Sequence, residues 1–282
     1  MYQVHLFCFL ASYSAAFVLE LSRLWQSKKW LHWMSIVATM AGLTAQTWYL
    51  IARSAESQLP PLLSSYHDWL LVSAWLLITG YLLYVILNLK KAGSDSLGLF
   101  VLPVALLMVI GSSLLTTHVK SFAEGQQVVR MLHASSLSIG IVGVLIGFLI
   151  SLMYLIQHRR LKKKHTLHRG FSLPPLSSLA KYNRWMVMLS MPMLTIGLVT
   201  GFVLIANSDK AENPFSWQDP IVIGFTVIWL AMVILFGWLL KSHSHSGREI
   251  ALLNAWAFGF LIVTLLGLQF IVMLTGIPTQ HG

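Results

Sequence analysis

The sequence predicts an all-α integral membrane protein, a bundle of about eight transmembrane helices with both termini on the external side. Three observations support this fold class. Hydrophobic residues make up 56% of the 282 residues and charged residues only 10%, whereas a soluble domain carries about 25% charged residues. The apolar residues form long continuous runs, and the basic residues lie in alternate connections between them. A soluble globular protein and a disordered chain are therefore excluded.

Each apolar run has the length of a transmembrane helix, which requires about 20 mostly apolar residues. Eight runs meet this requirement, at about 4–21, 31–52, 68–89, 96–117, 131–157, 185–206, 220–240 and 250–275. They lack the alternation of apolar and polar residues that the strands of an outer-membrane barrel show. We therefore expect helices that cross a bilayer.

The basic residues indicate how these helices are oriented. Fifteen of the 19 Lys and Arg residues lie in the first, third, fifth and seventh connections, and the others are Arg53, Lys120, Arg130 and Lys210. Cytoplasmic loops of membrane proteins are enriched in Lys and Arg. The odd-numbered connections are therefore expected in the cytoplasm, and both termini are expected outside.

We expect a single polytopic membrane domain over residues 1–282, with two longer connections. The basic loop 157–184 is predicted to be cytoplasmic and the loop 207–219 to be external. The basic run at 158–165 directly follows the fifth span, so membrane topology explains its charge. The predicted partner of the chain is the lipid bilayer, and no nucleic-acid partner is expected.

Few ionisable residues lie within the predicted spans, where such residues are usually functional. Glu20 lies near the cytoplasmic end of the first span, where its side chain is expected to reach the membrane surface, and no acidic residue lies at mid-membrane. This pattern disfavours a proton or ion pump. The single cysteine, Cys8, excludes a CxxC redox pair. Neither a set of catalytic residues nor the inverted repeat of a transporter is evident.

Histidine is frequent for a chain with so few charged residues. There are 11 histidines and only 9 acidic residues. Two histidines that are predicted to be external lie at helix ends, since His133 begins the fifth span and His281 follows the eighth. Neutral imidazole is a common ligand of haem and metal ions, and two histidines from different segments can bind one haem iron from opposite faces. Each is also explained, taken alone, as a polar residue at the membrane interface.

The external loop 207–219 ends in aromatic and turn-forming residues, namely Phe215, Trp217 and Asp219, and Pro220 follows. Asp219 suits the N-cap of the next helix and Pro220 its first turn. Trp217 suits the aromatic belt of a membrane protein. The alternative is that the aromatic residues form a flat platform for a large apolar macrocycle. Spacing alone does not decide between these interpretations.

This loop resembles the external tryptophan-rich "WWD" segment of the CcsA/CcmC-type cytochrome c assembly family, although it has fewer tryptophans. The resemblance lies in Trp217, Asp219 and Pro220. Trp229 stands where that family commonly has a tryptophan in the next helix. Three further segments extend the resemblance over nearly the whole chain. They are similar to the family's P-x-L-T-x-G-x-x-T-G helix at 192–201, to its "GAFVLP" segment at 96–103, and to its helix-opening histidine at 132–134.

The resemblance implies a haem-handling protein of the bacterial inner membrane that presents haem b at the external face. His133 and His281 would be the axial ligands of the iron. Phe215, Trp217 and Asp219 would shape the platform. The implied partners are other cytochrome c assembly proteins and an apocytochrome c, which would bring the cysteines for haem attachment.

The histidine pattern is similar to the HemX/YpjD branch of that family. Members that carry haem through the membrane have histidines where this chain aligns Gln46 and Gly237, neither of which binds haem iron well. The two external histidines of the family are matched in this chain. His133 matches the first, and His281 lies near the family's terminal "HSYG". This branch implies an alternative function, a membrane regulator or scaffold of haem biosynthesis that acts on glutamyl-tRNA reductase without transferring haem.

Overall fold

The computed structural model describes residues 5–26, 28–88, 96–115, 126–163, 173–207, 220–241, 247–249, 251–252 and 254–259. Over this part of the chain every regular element is a helix, which confirms the predicted all-α fold class. The described residues belong to two compact units. One lies within Met1–Lys120 and Gln157–Pro175, and the other within Ser121–Ile156 and Leu176–Gly282.

The described part of the first unit contains α1 (Leu6–Ser22), α2 (Lys29–Ser57), α3 (Pro61–Ser64), α4 (Tyr66–Leu87) and α5 (Gly98–Ser112). α3 is a single turn that begins at Pro61, whose fixed φ suits the start of a helix. Ser65 then caps α4, because its hydroxyl accepts a hydrogen bond from the backbone N–H of Asp68. α1 packs against α2 and α5, and α4 packs against the same two helices.

Polar and small residues follow one side of α2, which we call its polar face. They recur at alternating intervals of three and four positions, at His32, Ser35, Thr39, Gly42, Gln46, Tyr49 and Arg53. That spacing places them on one side of a helix, and all of them are buried or half-buried. Trp33, Val37 and Met40 on the other sides are exposed. The polar face of α2 therefore points into the first unit and the apolar residues point outward.

Hydrogen bonds connect the polar face of α2 to the helices around it. The hydroxyl of Tyr13 in α1 donates to Gln46 Oε1 at 2.6 Å, and Gln46 Nε2 donates to the carbonyl of Leu71 in α4 at 3.0 Å. Ser35 donates to the carbonyl of Ala16 in α1 at 3.1 Å. A polar group without a partner is costly at membrane depth, so these contacts make the polar face compatible with a buried position.

Glu20 is buried, contrary to the expectation that its side chain reaches the membrane surface. Its exposed fraction is 1%, and its Oε2 accepts a hydrogen bond from Nη1 of Arg23 at 2.7 Å. The same nitrogen lies 2.9 Å from His32 Nδ1. Residues three positions apart on a helix are neighbours, and opposite charges at this spacing attract. The carboxylate is therefore buried together with its counter-charge, and its Oε1 also lies 3.4 Å from His32 Nδ1.

The described part of the second unit contains most of α6 (Gln127–Lys163), together with α7 (Leu176–Ala206), α8 (Pro220–Lys241) and the helical residues 254–259. Small residues bring α6 and α7 close together. A Cβ atom placed on Gly140 would lie 2.8 Å from Leu194 Cδ2, and one placed on Gly197 would contact Leu137 Cδ2. Close approach through small residues is typical of packed membrane helices. It positions the backbone of α7 beside the side chains of α6.

Among the described residues, three helices are long and apolar enough to cross a membrane, namely α4, α6 and α7. α1 and α5 are apolar but shorter, with 17 and 15 residues, and so is the apolar part of α8, Val222–Ile234. α2 has sufficient length, with 29 residues, but its polar face lowers its mean hydropathy. The eight spans and the external termini stay predictions, and most of the eighth predicted span lies outside the described residues.

Candidate functional site

Of the five residues that the sequence proposes for the site, the structure describes His133, which lies in the second turn of α6. Phe215, Trp217 and Asp219 lie within 208–219 and His281 lies within 260–282, and both ranges are outside the described residues. The geometry of the site is therefore the geometry of His133 and its neighbours in α7.

A backbone carbonyl of α7 fixes the ring of His133. Nδ1 of His133 lies 2.7 Å from the carbonyl oxygen of Gly197. A carbonyl only accepts hydrogen bonds, so Nδ1 carries a proton, and in the neutral form of the ring the lone pair is on Nε2. Metal-binding histidines typically donate their other N–H to a carbonyl or carboxylate, which fixes the tautomer and the ring orientation. In its neutral form, His133 thus has the tautomer of an Nε2 iron ligand.

Two residues that follow Gly197 in α7 complete the surroundings of this ring. The hydroxyl of Thr200 shares its hydrogen bond between the carbonyls of Ile196, at 2.7 Å, and Gly197, at 2.9 Å, and lies 3.4 Å from His133 Nδ1. Gly201 leaves space for the ring, because a Cβ atom placed there would lie 3.0 Å from His133 Cε1. Gly197, Thr200 and Gly201 therefore form a cradle for His133, which we call the α7 cradle.

The spacing of the P-x-L-T-x-G-x-x-T-G segment explains the α7 cradle. Residues three and four positions apart share one side of a helix, so Gly197, Thr200 and Gly201 face α6 together. The sequence indicates this segment and the helix-opening histidine as separate similarities, and the structure brings them into contact. Sequence reasoning missed this contact. The sequence feature that indicates it is the pair of glycines one turn apart, since small residues leave space for a side chain of a neighbouring helix.

His67, another histidine that is predicted to be external, has a different environment. Its Nδ1 donates to the carbonyl of Ser112 at 2.8 Å, and its Nε2 lies 3.2 Å from the hydroxyl of Tyr49. Both ring nitrogens are therefore engaged inside the first unit, and only 4% of the residue is exposed. His67 has a structural role that connects α2, α4 and α5.

The resemblance aligns Gln46 and Gly237 with membrane histidines, and the structure shows that Gln46 is engaged within the protein. Gln46 is fully buried, and both ends of its amide are hydrogen-bonded within the first unit. Gly237 lies in α8, where a Cβ atom would have no neighbour within 4 Å. At Gln46 the structure therefore has a packing contact between α1, α2 and α4.

The arrangement at His133 suits haem iron. The porphyrin supplies four ligands, so the protein needs to supply only one ligand atom on each face. A single imidazole that is held by the Gly197 carbonyl and accommodated by Gly201 meets this requirement on one face. The chemistry of this donor therefore fits a haem group, whose iron His133 would hold through Nε2.

Comparison with known families identifies the same region. The model of a family described as cytochrome C assembly protein matches residues 63–275, a range that includes His133 and the α7 cradle. Comparisons with curated proteins and with solved structures give no significant match. The family match covers well over half of the 282 residues. The chain is a multi-pass membrane protein and belongs to the cytochrome c assembly protein family.

Proposed function

We propose that the protein holds haem b at the external face of the bacterial inner membrane during cytochrome c assembly, with His133 as an axial ligand. Membership of the cytochrome c assembly family supports a role in cytochrome c maturation. The observation that carries the proposal is the 2.7 Å hydrogen bond from His133 Nδ1 to the Gly197 carbonyl. This bond orients a neutral imidazole with Nε2 as its ligand atom.

The second axial ligand in this proposal is His281, near the end of the sequence. Phe215, Trp217 and Asp219 of the loop 207–219 shape the platform for the porphyrin. Haem is the group that is handed on, and its attachment uses cysteines of an apocytochrome c that other assembly proteins bring. The residues of this chain bind and orient haem, so none of them needs a catalytic role.

Absorption spectroscopy of the purified protein tests the proposal. The wild type is purified in mild detergent from cells supplied with haem, alongside His133→Ala and His281→Ala. We expect a Soret band in the wild type, and lower haem occupancy with a shifted spectrum in each variant, because each loses one axial bond. Added imidazole should partly restore the spectrum by occupying the vacated position. Trp217→Ala should lower retention less, since an aromatic contact contributes about 1 kcal/mol beyond its buried area.

His118→Ala is the matched control, because it removes another histidine that is predicted to be external. Its spectrum should equal that of the wild type. Equal spectra for the wild type, His133→Ala and His281→Ala would contradict the paired-ligand proposal. A protein that stays colourless after haem supplementation would contradict haem handling altogether, and would favour the alternative of a membrane regulator of haem biosynthesis related to HemX.

A further inference from the structure

We propose that Thr200 is a positioning residue that sets how strongly His133 binds iron, because it shares the carbonyl that holds the His133 ring. The part of the inference that concerns iron rests on the proposed function. The carbonyl oxygen of Gly197 lies 2.7 Å from His133 Nδ1 and 2.9 Å from the hydroxyl of Thr200. A carbonyl only accepts hydrogen bonds, so one oxygen atom receives protons from both side chains.

The Gly197 carbonyl has more donors than lone pairs. Gly197 lies inside α7, and in an α-helix each carbonyl accepts from the N–H four positions later, which here belongs to Gly201. The ring of His133 and the hydroxyl of Thr200 are two further donors. A carbonyl oxygen has two lone pairs, so these donors compete. Each hydrogen bond to this oxygen is therefore weaker than it would be without the others.

The hydroxyl of Thr200 acts on the His133 ring through this carbonyl. Thr200 is buried, and its single proton is shared between the carbonyl of Gly197 and that of Ile196, which lies at 2.7 Å. The hydroxyl oxygen itself is 3.4 Å from His133 Nδ1, whereas the Gly197 oxygen is 2.7 Å from that nitrogen. The N–H of the ring therefore bonds to the carbonyl, and removal of the hydroxyl should strengthen that bond.

The strength of the bond from Nδ1 determines how well Nε2 binds a metal. A hydrogen bond that is donated by the other nitrogen of a ligating imidazole raises the basicity of the ligand. Hydrogen bonding around the axial ligand is one means by which a protein sets the reduction potential of haem iron. A more basic imidazole favours ferric iron, which carries the higher charge. Thr200 therefore keeps His133 a weaker base, and the iron easier to reduce, than the Gly197 carbonyl alone would.

The alternative role of Thr200 is confined to its own helix. Threonine hydroxyls within helices commonly donate to a carbonyl three or four positions earlier, and Thr226 of α8 donates to the carbonyl of Val222 at 2.8 Å. If Thr200 had only this role, its replacement would leave the ring of His133 unchanged. Thr226 has the same type of bond outside the α7 cradle, so it provides a matched control.

The first measurement uses the haem-free protein, so its result does not depend on haem binding. The wild type, Thr200→Val and Thr200→Ser are prepared with isotope-labelled histidine, and the NMR signal of the His133 Nδ1 proton is identified by its loss in His133→Gln. We expect this signal to move downfield in Thr200→Val, because a stronger hydrogen bond deshields the proton. Thr200→Ser keeps the hydroxyl and should match the wild type, as should the control Thr226→Val.

The second measurement is the reduction potential of the same variants loaded with haem. Thr200→Val should raise the preference for ferric over ferrous haem about threefold, because neighbouring hydrogen bonds change each other's strength by about 10–30%. For a one-electron couple this preference lowers the potential by about 30 mV. Thr200→Ser and Thr226→Val should keep the potential of the wild type.

The two measurements separate this inference from the proposed function. An unchanged or upfield Nδ1 signal in Thr200→Val would overturn the inference, whatever the protein does with haem. A downfield signal with an unchanged potential would overturn the part that concerns iron. If the signal moves downfield but no haem binds through His133, the shared carbonyl is supported and the proposed function is contradicted. Should Thr200→Val fail to fold, Thr200→Ala removes the same hydroxyl and is judged by the same two measurements.

Discussion

Trp229 of α8 donates a hydrogen bond from its indole Nε1 to the hydroxyl of Thr195 in α7, at 2.9 Å. Thr195 lies two residues before Gly197, whose carbonyl holds the ring of His133. In the sequence, α8 directly follows the loop 207–219, which is predicted to be external. The contact between Trp229 and Thr195 therefore fixes the register of α8 against the helix that carries the α7 cradle.

Thr195→Val should destabilise the protein slightly and change the haem spectrum without removing haem. An interhelical hydrogen bond in a membrane protein contributes about 0.6 kcal/mol, so a small fall in the thermal midpoint in detergent is expected. Trp229→Phe should cause a similar fall, and the double variant should add little, because both changes remove one bond. Trp48→Phe is the control, as Trp48 is 61% exposed. Full additivity of the two single effects would show that the bond contributes nothing.

Gly201→Ala should weaken haem binding more than it weakens the fold. The new methyl group would lie 3.0 Å from His133 Cε1, so the ring has to move away from the Gly197 carbonyl. Overpacking of this kind costs about 1–3 kcal/mol, and each 1.4 kcal/mol of that cost that falls on the haem-bound state lowers haem affinity about tenfold. Titration of the variants with haem measures this loss. Gly237→Ala is a matched control, since its methyl group would meet no neighbour within 4 Å. Equal affinities for both variants would contradict the α7 cradle.

The buried pair of Glu20 and Arg23 makes a prediction about stability. Glu20→Met leaves the arginine charge without its carboxylate, and removing one partner of a buried ion pair costs about 3–5 kcal/mol. The double variant Glu20→Met/Arg23→Met removes both charges and should recover much of that loss. Thermal unfolding in detergent, followed by tryptophan fluorescence, compares the two. A double variant that is less stable than Glu20→Met would contradict a buried, mutually dependent pair.

Reporter fusions test the predicted topology. Because 15 of the 19 basic residues lie in the odd-numbered connections, fusions after Thr275 and within 207–212 should report an external location. Fusions within 162–168 should report a cytoplasmic location. An external signal from the last set would reverse the inferred orientation, and with it the external position of His133.

Local patterns predicted the helices better than they predicted the site. The charge and hydropathy pattern gave an all-α membrane fold, and the spacing of Gly197, Thr200 and Gly201 already places them on one side of a helix. The pattern does not show which residue packs against that side of α7, because that residue, His133, lies 64 positions earlier in the chain. Pairing between distant helices depends on how their surfaces fit, which single-sequence periodicity does not report. The burial of Glu20 likewise depends on a contact with another helix, since its Oε1 lies 3.4 Å from Nδ1 of His32 in α2.

The polar face of α2 has a consequence for how the protein is made. Entry of a helix into lipid becomes unfavourable when polar side chains face the hydrocarbon, and α2 carries such residues along its length. α1 is already synthesised when α2 leaves the ribosome. Two of the hydrogen bonds of the polar face join these two helices, since Tyr13 of α1 donates to α2 and Ser35 of α2 donates to α1. The helix that accepts from Gln46 is synthesised later. α1 and α2 should therefore enter the bilayer together as a hairpin, and truncation of α1 should cause α2 to fail in insertion rather than in folding.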